Sequence, residues 1–228
     1  MPKALPPKVL FIYYSFSGQT NGLLNHLAIG LRQEGVEVVM EKLRPLKPLR
    51  FPVGNIPQTL IMMLTTFFRA RTPLQPRSKL INKKYNLIIL AGPTWSYNPS
   101  GPILSLMDQD GEALFRDQKI LPVISCRGYW RMHWYGLRKK LFKCGGQVPN
   151  HIVFSHPSKE PWRTIGVFLK IAGKAPERLR IFGKFYQRYG HSKIQLEEAE
   201  KFGALIGQTL KENKDLAAIN FHTDIALP

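Results

Sequence analysis

Short apolar runs alternate along the chain with segments whose apolar residues recur every three or four positions. The run KVLFIYY at 8–14 is typical of a strand that is buried on both faces. Similar runs predict strands at 36–40, 85–91, 120–126 and 148–155, the last entered through Pro149 at a sheet edge. Helical spacing predicts helices at 19–33, which Gly35 would cap, and at 197–211. Buried strands alternating with helices indicate βαβ units and an α/β fold with a doubly wound parallel sheet.

Two segments are longer than an ordinary crossover requires. They span 43–84 and 157–194, and both are basic. The first contains LIMMLTTFFRA at 60–70, which is apolar enough for a buried or interfacial helix. The second contains WRTIGVFLKI at 162–171 and LRIFGKFYQRY at 179–189, where bulky apolar residues stand among cations. We interpret 1–228 as a single domain with two insertions.

Charge is the unusual feature of the composition. Lys and Arg total 33 against 15 Asp and Glu, a net charge of +18. No acid occurs between Glu41 and Asp108 or between Asp117 and Glu160. Such a surface favours an anionic partner, which could be a phosphate-bearing cofactor, anionic lipid, an acidic protein or nucleic acid.

The two cysteines, Cys126 and Cys144, lack the spacing of a metal site and do not suggest a disulfide framework. The start of the chain has no signal-peptide pattern, and no apolar stretch reaches the roughly 20 residues of a spanning helix. We therefore expect a cytoplasmic protein that meets a membrane, if at all, only at its inner surface.

The segment SFSGQT follows the first predicted strand and opens the first helix. The hydroxyls of Ser15, Ser17 and Thr20 can donate to anionic oxygens, and Gly18 allows a tight turn. The helix that starts at Gln19 directs free N–H groups at the same place. These features suit a phosphate site, with a hydroxyl-rich helix cap as the plain alternative. Neither a G-x-x-x-x-G-K-[ST] loop nor a G-x-G-x-x-G turn is present here.

Two further segments at predicted strand ends have unusual chemistry. AGPTWSYNPSGP at 91–102 is an irregular loop whose Trp95 and Tyr97 could stack on a planar ligand or simply pack beneath their own loop. SCRGYW at 125–130 adds Arg127, a cation that needs an anionic neighbour, and Cys126, which could equally be an inert buried thiol.

A phosphate cradle followed by two aromatic loops resembles the flavodoxin-like family, including its NAD(P)H-dependent FMN reductases. That resemblance covers roughly 8–42, 85–155 and 195–211. It implies a five-stranded sheet of order 2-1-3-4-5 with FMN at the point where the strand order reverses. The residues that match the family's three FMN loops are Ser15, Ser17, Gly18, Gln19, Thr20, Pro93, Thr94, Trp95, Ser96, Tyr97, Cys126, Arg127, Gly128 and Tyr129.

The loops also depart from the electron-carrier flavodoxins, which are typically acidic near the flavin. This chain has no acid in its second or third loop and has Arg127 instead. A cation beside the ring stabilises its reduced anionic form, which favours two-electron chemistry. We therefore expect NAD(P)H-dependent reduction of a quinone-like or other hydrophobic conjugated acceptor. The alternatives are an electron carrier for an acidic redox partner and a flavin-free membrane or scaffold protein.

No catalytic residue can be assigned from the sequence, although Tyr97, Tyr129 and His133 are the nearest proton donors. The resemblance places the first insertion where it could cover the flavin, so that Phe67 and Phe68 would wall the substrate pocket. Packing on the sheet and a homodimer interface are the alternatives. For the second insertion we keep open a lid over the substrate, an anionic membrane surface and an acidic protein partner, while nucleic acid is disfavoured. A likeness to bacterial flavodoxin-like proteins associated with aryl-polyene and dialkylresorcinol biosynthesis favours an apolar substrate.

Overall fold

The computed structural model describes residues 5–186 and 188–228. Its centre is a parallel sheet with the strand order β2-β1-β3-β5-β6. These strands are β1 (Lys8–Tyr13), β2 (Glu37–Lys42), β3 (Leu87–Trp95), β5 (Ile120–Cys126) and β6 (Ile152–Ser155). A two-residue strand, β4 (Asn98–Pro99), pairs antiparallel with the end of β3. Setting β4 aside, the order is the expected 2-1-3-4-5, and the doubly wound α/β fold is confirmed.

Helices cover both faces of the sheet because its central strands are apolar on both sides. One core packs β-strand residues against α1 (Gln19–Gln33) and α6 (Lys193–Lys211). The other packs them against α3 (Gly101–Phe115) and α4 (Arg131–Lys143). The insertions contribute α2 (Ile56–Phe67) and α5 (Trp162–Ile171). Short 3₁₀ turns occupy Lys79–Asn82, Pro176–Arg178, Phe182–Lys184 and Leu216–Ala218. No helix in the described part of the chain is long and apolar enough to cross a membrane.

The structure differs from the sequence-based elements mainly at strand and helix ends. β3 continues to Trp95 because Thr94 and Trp95 pair with β4 in a hairpin, where we predicted an irregular loop from Ala91. β6 begins only at Ile152, after Pro149, whose nitrogen cannot donate to a sheet ladder. α2 begins four residues before the predicted helix because the Asn55 side chain accepts from the Gln58 N–H and caps it.

The second insertion is only partly helical. The segment 162–171 forms α5 as a regular helix. In contrast, the described residues of 179–189 contain just the single 3₁₀ turn Phe182–Lys184. The two insertions are joined to each other: the Val53 N–H donates to the Ile171 carbonyl at 2.8 Å, and the Phe51 and Tyr189 rings stack at 5.5 Å. Parts of both insertions therefore meet near the carboxyl ends of the strands, where Ile171 and Tyr189 line a cleft.

Candidate functional site

The first loop presents an open helix N-terminus. Gly18 is the N-cap of α1 with φ +86°, a conformation that favours glycine, and no side chain caps the helix from this position. The Ser15 hydroxyl accepts from the Asn21 N–H at 3.2 Å. Among the described residues, no partner takes the N–H groups of Gln19 and Thr20. The hydroxyl-rich segment is thus only partly used as a cap, and two amides remain for an anion.

These amides border a cleft with an open volume of about 560 Å³. Arg127 and His156 lie on its other side, and Tyr189 of the second insertion reaches over it, with its phenol within hydrogen-bonding reach of Ser17. Its lining residues are Phe16, Ser17, Gln19, Thr20, Pro93, Thr94, Trp95, Ser125, Cys126, Arg127, His156, Val167, Ile171 and Tyr189. A hollow therefore lies beside the two free amides, with Arg127 in its lining.

A second cleft adjoins the first and is mainly apolar. It has an open volume of about 870 Å³ and shares Thr94, Trp95, Arg127, Val167 and Ile171 with the first. The remaining lining residues are Met62, Met63, Thr66, Phe67, Ser96, Tyr97, Tyr129 and Phe168. Neither cleft has an Asp or Glu among its described lining residues.

The second loop is a tight hairpin turn held in an unfavourable backbone conformation. Ser96 and Tyr97 have φ of +43° and +70°, as the two central residues of a type I′ turn require. Neither is glycine or asparagine, so each costs about 1 kcal/mol or more. Trp95 is buried edge-on against Tyr14 and Phe16. The accessible ring in this loop is Tyr97, which is 36% exposed.

Helix α2 holds this turn from outside. The Ser96 hydroxyl donates to the Met63 carbonyl at 2.8 Å. The buried Asn98 side chain donates to the Thr66 and Phe67 carbonyls and accepts from the Arg69 guanidinium. The first insertion is therefore a wall of the apolar cleft, as we expected for Phe67. Phe68 does not line the cleft and is 73% exposed.

The third loop contributes a cation and a second accessible ring. Arg127 lies 5.3 Å from the Tyr129 ring centroid, and its Nε is buried with no partner among the described residues. Tyr129 is 45% exposed and meets the Tyr97 ring edge-on at 5.6 Å. At Gly128, φ is +153° and the Arg163 guanidinium lies 2.6 Å from where a Cβ would stand, so glycine is required. Loops two and three thus meet across the mouth of the apolar cleft.

Two residues that the sequence offered as candidate site residues, Cys126 and His133, are not reactive in the structure. Burial raises the pKa of the Cys126 thiol to about 12. Cys126 is therefore an inert buried thiol, which was one of the two interpretations of the sequence. Burial lowers the pKa of His133 to about 3, and its Nδ1 shares a 2.7 Å hydrogen bond with the Thr94 hydroxyl. His133 is therefore neutral at pH 7 and positions Thr94, and it is not available as a proton donor.

The site also includes residues that the sequence did not indicate. His156 follows β6, and burial together with nearby Arg163 lowers its pKa to about 4. Its Nε2 has no partner among the described residues. Val167, Phe168 and Ile171 bring α5 into the cleft wall. Only the basic, aromatic composition of 157–194 hinted at such a role. No cluster of His, Cys, Asp or Glu suited to a metal ion occurs within the described part of the chain.

The chain is similar to known proteins in structure but not in sequence. No family model matches the chain, and no curated protein sequence is similar to it. A flavoprotein from Bacteroides eggerthii superposes with a TM-score of 0.51 at 14% identity, covering 74% of this chain and 99% of that one. The flavodoxin, WrbA-like protein of Agrobacterium tumefaciens gives a TM-score of 0.50 at 15% identity, covering 91% of this chain and 99% of that one. The chain therefore has the flavodoxin-like fold.

Proposed function

We propose that the two adjoining clefts bind FMN and that the protein is an NAD(P)H-dependent oxidoreductase. The observation that carries this proposal is the open N-terminus of α1 in one cleft and the apolar, aromatic lining of a second cleft that shares five residues with it. One superposed protein is described as a flavoprotein and the other as a flavodoxin, which supports a flavin as the ligand. When bound, FMN would supply two-electron transfer from the nicotinamide to the acceptor.

The residues present fit each part of this cofactor. The free amides of Gln19 and Thr20 and the Ser17 hydroxyl would hold the phosphate, because a helix N-terminus attracts anions. Tyr97 and Tyr129 offer accessible aromatic faces for a planar ring. Arg127 stands at the junction of the clefts, where it would provide positive charge toward the ring or the phosphate.

The chain's own groups would mainly position the ring and exclude water. The hydrogen bond between Thr94 and His133 and the contacts of α2 to Ser96 hold the second loop in place. Met62, Phe67 and Phe168 would make the acceptor side of the cleft apolar. This lining supports a quinone-like or similarly conjugated hydrophobic acceptor, because an apolar wall contributes binding energy mainly by removing apolar surface from water.

The test begins with the spectrum of the purified protein. We expect the visible bands of bound flavin and, under anaerobic conditions, their bleaching by NADH or NADPH, followed by reoxidation with menadione. Bleaching by dithionite but not by either nicotinamide would support the electron-carrier alternative. A colourless protein that also fails to quench FMN fluorescence on titration would refute the proposed cofactor.

A further inference from the structure

The outer side of α2 is an apolar face that no element in the described part of the chain covers. Five apolar side chains here are between 52% and 73% exposed, and Thr59 is the one buried residue of α2. The five are Leu60, Ile61, Leu64, Phe67 and Phe68. At 3.6 residues per turn, these five side chains occupy an arc of about 120°. Scattered exposed apolar residues are ordinary, but a continuous stripe of this kind marks an interaction surface.

The second insertion exposes apolar side chains among cations. Ile165, Leu179, Ile181 and Phe185 are between 43% and 71% exposed. Lys174, Arg178, Arg180, Lys184 and Arg188 are exposed around them, and none of the five is in an ion pair with a described residue. The two acids of this insertion, Glu160 and Glu177, are already paired with Arg163 and Lys170.

The first insertion adds charge of the same sign. It contains no Asp or Glu from 43 to 84, and Lys47 and Arg50 are exposed beside Leu46 and Leu49. The insertions are tied together by the hydrogen bond from Val53 to Ile171 and by the stacking of Phe51 on Tyr189. We call the outward-facing parts of 43–68 and 157–194 the insertion face. It combines exposed apolar side chains with unpaired cations at one end of the sheet.

We propose that the insertion face docks on an anionic phospholipid surface. Apolar side chains flanked by Lys and Arg are the pattern of segments that lie in the membrane interface. A second copy of this chain is a poor partner, because like charges would oppose each other.

The proposal gives the apolar cleft an entrance from the lipid. Phe67 belongs both to the outer stripe of α2 and to the cleft lining, and Phe168 and Ile171 of α5 lie opposite. A hydrophobic acceptor dissolved in the bilayer could then enter between α2 and α5. This route depends on the proposed function, whereas the docking itself does not.

Vesicle co-sedimentation of the full-length protein tests the docking. We expect binding to phosphatidylcholine vesicles with 30% phosphatidylglycerol, weak binding to pure phosphatidylcholine, and loss of binding as salt rises. The triple variant Arg178→Gln/Arg180→Gln/Lys184→Gln should lower the partition coefficient about 100-fold, because each cation near an anionic surface contributes about fivefold. The variant Phe68→Ser/Ile181→Ser should also weaken binding, because it removes one apolar side chain from each insertion.

A matched control removes the same charge elsewhere. Arg32→Gln/Lys139→Gln/Lys201→Gln changes exposed cations on α1, α4 and α6. It should keep wild-type binding within about threefold, because charges beyond a Debye length of about 8 Å are largely screened. Equal loss in both triple variants would show that net charge alone drives binding and would overturn the insertion face. A wild-type protein that does not bind anionic vesicles would overturn the membrane proposal. This outcome includes the case in which the insertion face binds an acidic protein instead.

Vesicle binding needs no cofactor, so the two proposals fail separately. A colourless protein that sediments with anionic vesicles would refute FMN and support docking. A yellow, NAD(P)H-reducible protein that stays in the supernatant would do the reverse.

Discussion

Replacing Ser17 by aspartate places a carboxylate where the proposed function puts the phosphate of FMN. Ser17 lines the cleft directly before the N-cap Gly18, and the N–H groups of Gln19 and Thr20 next to it have no partner among the described residues. The substitution therefore adds a negative charge without changing the fold of the loop. It should weaken FMN binding and at the same time stabilise the apoprotein.

The size of the effect follows from the charges. Two unit charges about 4 Å apart at an effective dielectric constant of about 20 repel by about 4 kcal/mol. A phosphate monoester carries about 1.5 to 2 negative charges at pH 7. FMN affinity in Ser17→Asp should therefore fall at least about 1,000-fold. The same carboxylate near the positive end of α1 should stabilise the apoprotein by about 0.5 kcal/mol, and the Tyr189 phenol within reach of residue 17 can donate to it.

Two measurements separate these effects. Flavin content after purification and FMN titration by fluorescence quenching report affinity, and urea unfolding of the apoprotein reports stability. Ser17→Asn is the matched control, with nearly the same shape and no charge, and it should retain most of the cofactor. Wild-type flavin retention in Ser17→Asp would show that the anion does not bind at this loop. Equal loss in both variants would mean that shape rather than charge is responsible, which contradicts the electrostatic argument.

Three further outcomes test other parts of the structure. Gly30→Ala should lower the free energy of unfolding by about 1–3 kcal/mol, because a Cβ would overlap the Glu200 carbonyl of α6. The control Gly22→Ala has open space in the same helix and should be more stable than the wild type by about 1 kcal/mol. Thermal melts measure both changes. Arg127→Gln should lower the midpoint potential of bound FMN by about 30–60 mV in a dye-equilibrated titration, whereas Arg131→Gln should leave it unchanged. Accumulation of the one-electron form in the wild type would contradict the two-electron role. Burial lowers the pKa of the three almost fully buried histidines from about 6.5; these are His133, His156 and His191. The stability of the protein is therefore complete above pH 6.5 and falls as the pH drops toward 4, at a cost of roughly 2 kcal/mol for each histidine at pH 5. Urea unfolding at pH 7 and pH 5 measures this loss, and equal stability at both values would show that they are not buried as described.

The core elements could be predicted because their sequence patterns are local. The run from Lys8 to Tyr13 is apolar throughout, and α1 occupies 19–33 as its leucine spacing predicts. The strand Ile120–Cys126 also has the predicted bounds. Placing the three loops at one edge then needs only the rule that parallel strands end at the same side of the sheet.

The details of the loops were less predictable because they depend on distant partners. Trp95 looked like a free stacking surface, yet its ring is buried against Tyr14 and Phe16, which come from another strand end. The positive φ values of Ser96 and Tyr97 are maintained by α2, more than 25 residues earlier in the chain. Local propensity would have favoured Asn-Gly in such a turn.

By itself, the sequence determined the alternating strands and helices of an α/β fold and the hydroxyl-rich loop that opens α1, because burial patterns and helix termini are encoded within a few neighbouring residues. The strand order was implied by the family resemblance and not by these local patterns. Only the tertiary structure decided that His156 and Tyr189 border the same cleft as Ser17, and that α2 and α5 wall its apolar end. The physical reason is that insertions fold by contact with the finished sheet. Their positions are set by long-range hydrogen bonds and ring packing, such as Val53 with Ile171 and Phe51 with Tyr189, which leave no periodic signal in the chain.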